Sequence, residues 1–152
     1  MVFAEYKNQP VLVGYFTLSN KYLVVKRDGQ ISETLRKRIA KFCTYNHDMK
    51  RHELAAPLIA QLGKNFANGF DQLITGDELL QMACDRVASV LLALGGKIAY
   101  VECEPNAKLI SFYERNRFRE FDRRFLDKSE RERYHCDCFI QMLRYFMSIP
   151  IC

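Results

Sequence analysis

The strongest constraint on the fold of this chain is a strand, a helix and a strand laid end to end between Ala56 and Cys103. Ala56-Pro-Leu-Ile-Ala-Gln-Leu62 and Lys97-Ile-Ala-Tyr-Val-Glu-Cys103 are apolar runs of the length buried strands take. Between them, after a polar, glycine-bearing loop over Gly63–Ile74, Leu79, Met82, Ala83, Val87, Val90, Leu91 and Leu94 recur at helical spacing. They predict an amphipathic helix from about Thr75 to Leu94. Its start is marked by Thr75-Gly-Asp-Glu78, a capping box in which the Thr hydroxyl takes the Glu78 N–H and the Glu carboxylate reaches back to the Thr75 N–H. Gly95-Gly96 supplies a left-handed stop. Two strands joined by a helix of this length are parallel neighbours, linked by a right-handed crossover.

The flanking segments predict antiparallel pairing. Val2–Tyr6 and Val11–Leu18 are β-rich runs joined by Lys7-Asn-Gln-Pro10, a hairpin turn. Ile31, Leu35, Ile39 and Phe42 fall at helical spacing behind a Ser32 N-cap, with Arg36, Lys37, Arg38 and Lys41 largely on the other side. A short amphipathic helix over Asn106–Asn116 is followed by a half-exposed strand over Phe118–Phe125. The almost wholly charged Asp127–Arg133 reads as a solvent loop, and Phe139–Met147 as a last strand, with helix as the alternative. The class is therefore α/β (α+β), with a mixed, mostly antiparallel sheet flanked by helices in one domain spanning residues 1–152.

Composition supports one core: 152 residues, 49% hydrophobic, match the size of a single domain. No apolar run approaches the roughly 20 residues of a membrane span, and Met1-Val-Phe-Ala-Glu5 lacks the pattern of a signal peptide. A cytoplasmic protein without membrane contact is expected. Cys43, Cys84, Cys103, Cys136, Cys138 and Cys152 form no dense framework and suit reduced thiols. His135-Cys136-Asp-Cys138 offers three cramped ligands where structural zinc takes four, so no metal is expected. The net charge of +5 is concentrated: nine Lys or Arg against three acids over Lys21–Arg51, and eight against five over Arg115–Arg133. Such tracts are either solvated faces or surfaces for phosphate-bearing partners.

One stretch carries chemistry. Asn106-Ala-Lys-Leu-Ile-Ser-Phe-Tyr-Glu-Arg-Asn-Arg-Phe118 places Asn106 seven residues ahead of Tyr113 on one helix. It resembles the late helix of GNAT-type acetyltransferases, and the order of elements resembles the GNAT core from Val2 onward. The resemblance implies acetyl-CoA as co-substrate, Asn106 beside it, and Tyr113 as the acid that protonates the leaving thiolate during direct attack by a primary amine. Arg117-Phe118 stands where that family has a Gly-Phe step.

Asp71-Gln-Leu-Ile-Thr-Gly76 occupies the place of the family's phosphate loop, keeping Gly76 while Asp71 and Ile74 replace its first polar residue and earlier glycine. The resemblance assigns Gln72, Leu73, Ile74, Thr75, Gly76 and Asp77 to the pyrophosphate, which a helix N-terminus attracts through unpaired N–H groups. It assigns Leu62, Gly63 and Lys64 to the pantetheine arm.

Read on their own, these residues have plainer roles. Thr75 and Glu78 are an ordinary helix cap, Gly63 a bulge or a place of close approach, Asn106 an N-cap, and Tyr113 a core-and-rim side chain. Glu102 and Glu104, at a strand end, are either exposed acids or the base that draws the amine proton through water.

From Leu54 to Tyr113, and most of all in Pro57-Leu-Ile-Ala-Gln-Leu62, the chain resembles bacterial acetyltransferases that include toxins acting on aminoacyl-tRNA. That places tRNA, protein and small amines among the expected acceptors. The family's usual first strand and helices have no counterpart ahead of Val2, so an exposed edge at Val2–Tyr6 is expected to be covered by a second copy or a partner chain. The alternative is a GNAT-like domain without catalysis that binds CoA or a protein partner. An RNA-binding module without chemistry finds no aromatic and basic platform in this sequence.

Overall fold

A hairpin begins the chain. In the computed structural model, which describes residues 1–26 and 31–147, β1 (Val2–Tyr6) and β2 (Gln9–Lys26) pair antiparallel through a tight turn. Lys7 and Asn8 both take positive φ there (52° and 62°), as a two-residue hairpin turn requires. Cys152, and Arg27 and Asp28 of the first basic tract, lie outside the described residues.

β2 continues well past Leu18, because β4 (Arg51–Lys64) pairs with it antiparallel from Lys26↔Arg51 to Gly14↔Lys64. α1 (Glu33–Ala40), capped by Ser32, and the short β3 (Thr44–Asn46) connect them. A 3-10 segment over Ala67–Leu73 leads to α2 (Gly76–Leu94), then β5 (Ile98–Cys103), α3 (Ala107–Arg115), β6 (Arg119–Phe125), α4 (Lys128–Tyr134) and β7 (Cys138–Tyr145). The sheet order is β1-β2-β4-β5-β7-β6, with β3 on β4, and β4–β5 is the parallel pair.

That parallel contact is short. It consists of Leu58↔Tyr100 and Ile59↔Val101. Just beyond, Thr17 pairs with Gln61 and Leu18 with Ile59, so Ala60 is an extra residue in β4, a bulge that bends the strand. From Ala60 to Lys64, β4 keeps β2 on one side, and no strand among the described residues pairs with its other side. The two halves of the sheet splay apart there.

Each face has its own core. On one, α2 buries Leu80, Ala83, Cys84 and Val87 against Ile59, Ala99, Val101, Ile140 and Met142. On the other, Ile39 of α1 packs with Leu23, Leu54, Leu58, Ile98, Tyr100, Phe121 and Leu143. The buried stripe of α2 is rotated from the one expected: Leu80 and Cys84 lie inside, while Met82 and Leu94 are exposed.

The expected solvent loop at Asp127–Arg133 is instead α4. Asp127 accepts from the Glu130 N–H at 2.9 Å and Glu130 accepts from the Asp127 N–H at 3.2 Å, a second capping box. Arg124 then grips both Glu130 oxygens at 3.0 Å, anchoring a helix with no buried residue. No helix among the described residues is long and apolar enough to cross a membrane.

Ile39 is the one buried residue of α1 and is fully enclosed, so Ile39→Ala leaves a cavity under the helix. Urea unfolding of that variant is expected to show a loss of about 2–5 kcal/mol.

Candidate active site

Tyr113 sits at the C-terminal end of α3, and the way that helix ends fixes it. The Phe118 N–H donates to the Tyr113 carbonyl at 3.0 Å and the Arg117 N–H to the Glu114 carbonyl at 3.0 Å. These are the two bonds of a Schellman motif, completed by the Tyr113 and Phe118 rings at 5.7 Å. The motif requires a left-handed residue at Arg117, which has φ 71°. Arg117 thus occupies, under strain, a backbone position that glycine takes freely.

The Tyr113 side chain is 9% exposed, enclosed with Cys84, Cys103 and Phe118. Burial, with smaller contributions from the Cys103 and Cys84 thiols, pushes its phenol up to about 12. The hydroxyl therefore stays protonated at any ordinary pH.

The first turn of α2 meets the last turn of α3. Thr75 and Glu78 form the expected capping box, with Glu78 N–H to Thr75 Oγ1 at 3.1 Å and Thr75 N–H to Glu78 Oε2 at 2.8 Å. By the geometry of a helix start, the Gly76 and Asp77 N–H groups have no partner in the helix ladder. A Cβ on Gly76 would lie 3.3 Å from the Phe112 ring, so this glycine lets α3 approach.

Asp77 turns to the same neighbour. Arg115 donates from Nε to its Oδ1 at 3.0 Å and from Nη2 to its Oδ2 at 2.9 Å, and Asn116 Nδ2 adds a bond at 2.7 Å. Bonds from Arg115 and then Asn116 hold the carboxyl down at about 2. The charge that would repel an anion at this helix start is thereby paired.

Leu62, Gly63 and Lys64 lie on the open side of β4, opposite their β2 partners Phe16, Tyr15 and Gly14. The bulge is at Ala60 rather than Gly63. What Gly63 accommodates is the Tyr15 ring, which would stand 3.0 Å from an added Cβ. Ile74 is buried with Val13 and Leu79, whereas Gln72 and Leu73 are exposed in the 3-10 segment.

The remaining predicted residues scatter. Asn106 caps α3, its Oδ1 accepting from the Lys108 N–H at 2.9 Å, at the end of the helix away from Tyr113. Glu102 accepts from Arg124 at 3.0 Å and from Gln141 at 2.8 Å. By strand alternation it shares the Ile98 and Tyr100 face of β5, opposite the face of Ala99, Val101 and Cys103 that packs near Tyr113. Glu104 is exposed on the turn into α3. Among the described residues no group of three His, Cys, Asp or Glu side chains gathers to hold a metal ion.

Sequence reasoning missed Arg115, Asn116, Tyr15 and Arg124. Arg115 and Asn116 look like an ordinary basic helix end, and only the meeting of α3 with α2 gives them Asp77.

Among solved structures, the chain is similar to a Tyr-to-Phe mutant of KacT, at 18% identity and TM-score 0.53, over 92% of this chain and 67% of that one. It is also similar to a Tyr-to-Phe mutant of the AtaT toxin, at 16% identity and TM-score 0.54, over 90% of this chain and 63% of that one. The likeness is one of fold: a mixed, mostly antiparallel sheet flanked by helices. No family model and no curated relative matches the chain. This chain spans about two thirds of the length of each of these two structures.

The strain at Arg117 is measurable. Arg117→Gly relieves a left-handed side chain worth about 1–2 kcal/mol and loses about 0.4–1 kcal/mol to unfolded-state entropy. Denaturant unfolding is expected to show a net gain of about 0.5–1 kcal/mol.

Proposed function

We propose that this domain transfers an acetyl group from acetyl-CoA to a primary amine. The observation that carries the reading is the splay of β4 from β5 beside the clustered α2 start and Tyr113. The open side of β4 at Leu62, Gly63 and Lys64 has backbone groups suited to an amide-bearing pantetheine arm. The turn from Gln72 through Ile74, Thr75, Gly76 and Asp77 ends in a helix N-terminus suited to a pyrophosphate, with the Asp77 charge already paired to Arg115.

In the reaction the amine nitrogen attacks the thioester carbonyl, a C–N bond forms, and the C–S bond breaks. The amine gives up one proton and the departing sulfur gains one. Tyr113 donates to that sulfur from the α2 face. Glu102 is engaged by Arg124 and Gln141, so Glu104 is the carboxylate we assign to the amine proton, through water, with Glu102 and Arg124 shaping the opposite wall. Asn106 caps α3 and contacts the cofactor from the helix start.

Aminoacyl-tRNA is one acceptor class, alongside proteins and small amines. It is supported by the two basic tracts, each of which keeps cations beyond those paired with acids: Lys26, Lys37 and Arg51 are paired in the first, Arg115, Arg123 and Arg124 in the second. Acetyl-CoA is expected to raise the melting temperature of the purified protein, and Tyr113→Phe to lower thiol release about a hundred- to ten-thousand-fold with CoA affinity kept. No thermal shift at saturating acetyl-CoA removes the reading; wild-type turnover in Tyr113→Phe reduces Tyr113 to packing.

The β1 edge, with Phe3 56% exposed, is the surface we assign to a second copy. Light scattering is expected to give a dimer mass that falls on dilution. A monomer mass at every concentration contradicts this assignment.

A further inference from the structure

We propose that the Asp77 carboxylate, as distinct from the backbone N–H at the α2 start, is a positioning group for Tyr113 rather than a ligand of the cofactor, acting through the clasp it forms with Arg115 and Asn116. This rests on the acetyltransferase reading above. α3 has only nine residues and buries only Tyr113, and a helix that short holds no fixed pose without tertiary contacts. Its start is capped within itself by Asn106. Ile110 and Phe112 pack beside Tyr113 on the core, and the helix end carries the Schellman turn into β6, a bond from Arg119 Nη1 to the Glu114 carbonyl at 2.8 Å, and the clasp onto α2.

The clasp is built from several converging contacts. The Arg115 fork engages both Asp77 oxygens, and Asn116 Nδ2 bridges Asp77 Oδ1 at 2.7 Å to the Phe112 carbonyl at 2.9 Å. The Arg115 guanidinium also lies over the Phe112 ring at 4.9 Å, and that ring rests against Gly76. Phe112 and Asn116 bracket Tyr113 in sequence, and the Phe112 and Tyr113 rings are 5.1 Å apart. Asp77 is thus tied to the residues on both sides of the proposed acid.

Geometry separates this role from that of a ligand. The Asp77 carboxylate is an anion at a helix start assigned to an anion, so it cannot add affinity for phosphate. An exposed ion pair adds little stability, even with fork geometry. Orientation is a different matter, since a misplacement of about 1 Å at a reacting group can cost about a hundredfold in rate.

The test compares Asp77→Ala in the wild-type and Tyr113→Phe backgrounds, reading CoA affinity by calorimetry, thiol release from acetyl-CoA, and hydrogen exchange of the Asn116 and Phe118 amides. We expect CoA affinity to stay equal or tighten, turnover to fall about ten- to a hundredfold, and both amides to exchange faster. In the Tyr113→Phe background Asp77→Ala should cost almost nothing further, and Arg115→Ala should reproduce the pattern. An equal loss in both backgrounds, a weakened CoA affinity, or unchanged exchange of the two amides overturns the proposal. Wild-type protein that binds no CoA overturns the acetyltransferase reading, and this inference with it; CoA binding with undiminished turnover in Asp77→Ala overturns this inference alone.

Discussion

The arrangement depends on how little of β4 and β5 is paired. Two residue pairs, Leu58↔Tyr100 and Ile59↔Val101, join the antiparallel β1-β2-β4 half of the sheet to the β5-β7-β6 half. A longer parallel ladder would close the sheet and bury the backbone of Leu62, Gly63 and Lys64 in hydrogen bonds. Instead the bulge at Ala60 turns β4 toward β2 just where β5 would continue. The halves stay together because the cores on both faces span them: Ile59 with Val101 and Met142 under α2, and Leu58 with Tyr100 and Leu143 near α1. Apolar burial holds what strand pairing leaves open.

Both sides of that opening are furnished by short helices: α3 packs Ile110, Phe112 and Tyr113 against the core and adds polar contacts, and α4 is held by polar contacts. α3 buries one residue and α4 none. Asp77 fastens the first to α2, and Arg124 fastens the second to Glu130 and to Glu102 at the end of β5. Arg124 also lies over the Phe139 ring at 5.3 Å. Part of each basic tract is therefore committed to holding the structure, Lys26, Lys37 and Arg51 in the first and Arg115, Arg123 and Arg124 in the second.

Much of the fold was legible where period and punctuation agreed. Thr75 to Glu78 and Gly95-Gly96 bounded α2, and the apolar runs at Ala56 and Lys97 gave the parallel pair. The stripe of α2 was misplaced in phase because Cys84 and Leu80 face the sheet while Met82, equally apolar, does not. α4 was missed because no apolar period marks it, although Asp127-Lys-Ser-Glu130 has the same cap pattern that located α2. The candidate site was legible in pieces. Tyr113 and the α2 start could be named, but the clasp between residues 38 and 39 positions apart could not, since ion pairs between distant surface charges leave no local pattern.

The burial of Tyr113 bears on how such a residue would act. A phenol at about 12 donating fully to a thiolate whose conjugate acid lies near 8.5 faces an uphill transfer of about 5 kcal/mol. The same burial strengthens a hydrogen bond from that phenol, because water does not compete in an apolar enclosure. On the proposed reading, such an acid would work by directing its hydroxyl at sulfur while negative charge develops, with solvent completing the protonation after the C–S bond breaks. A donor of that kind is only as good as its aim. The Schellman turn at Arg117 and the clasp at Asp77 both act on the last turn of α3, where that aim is set.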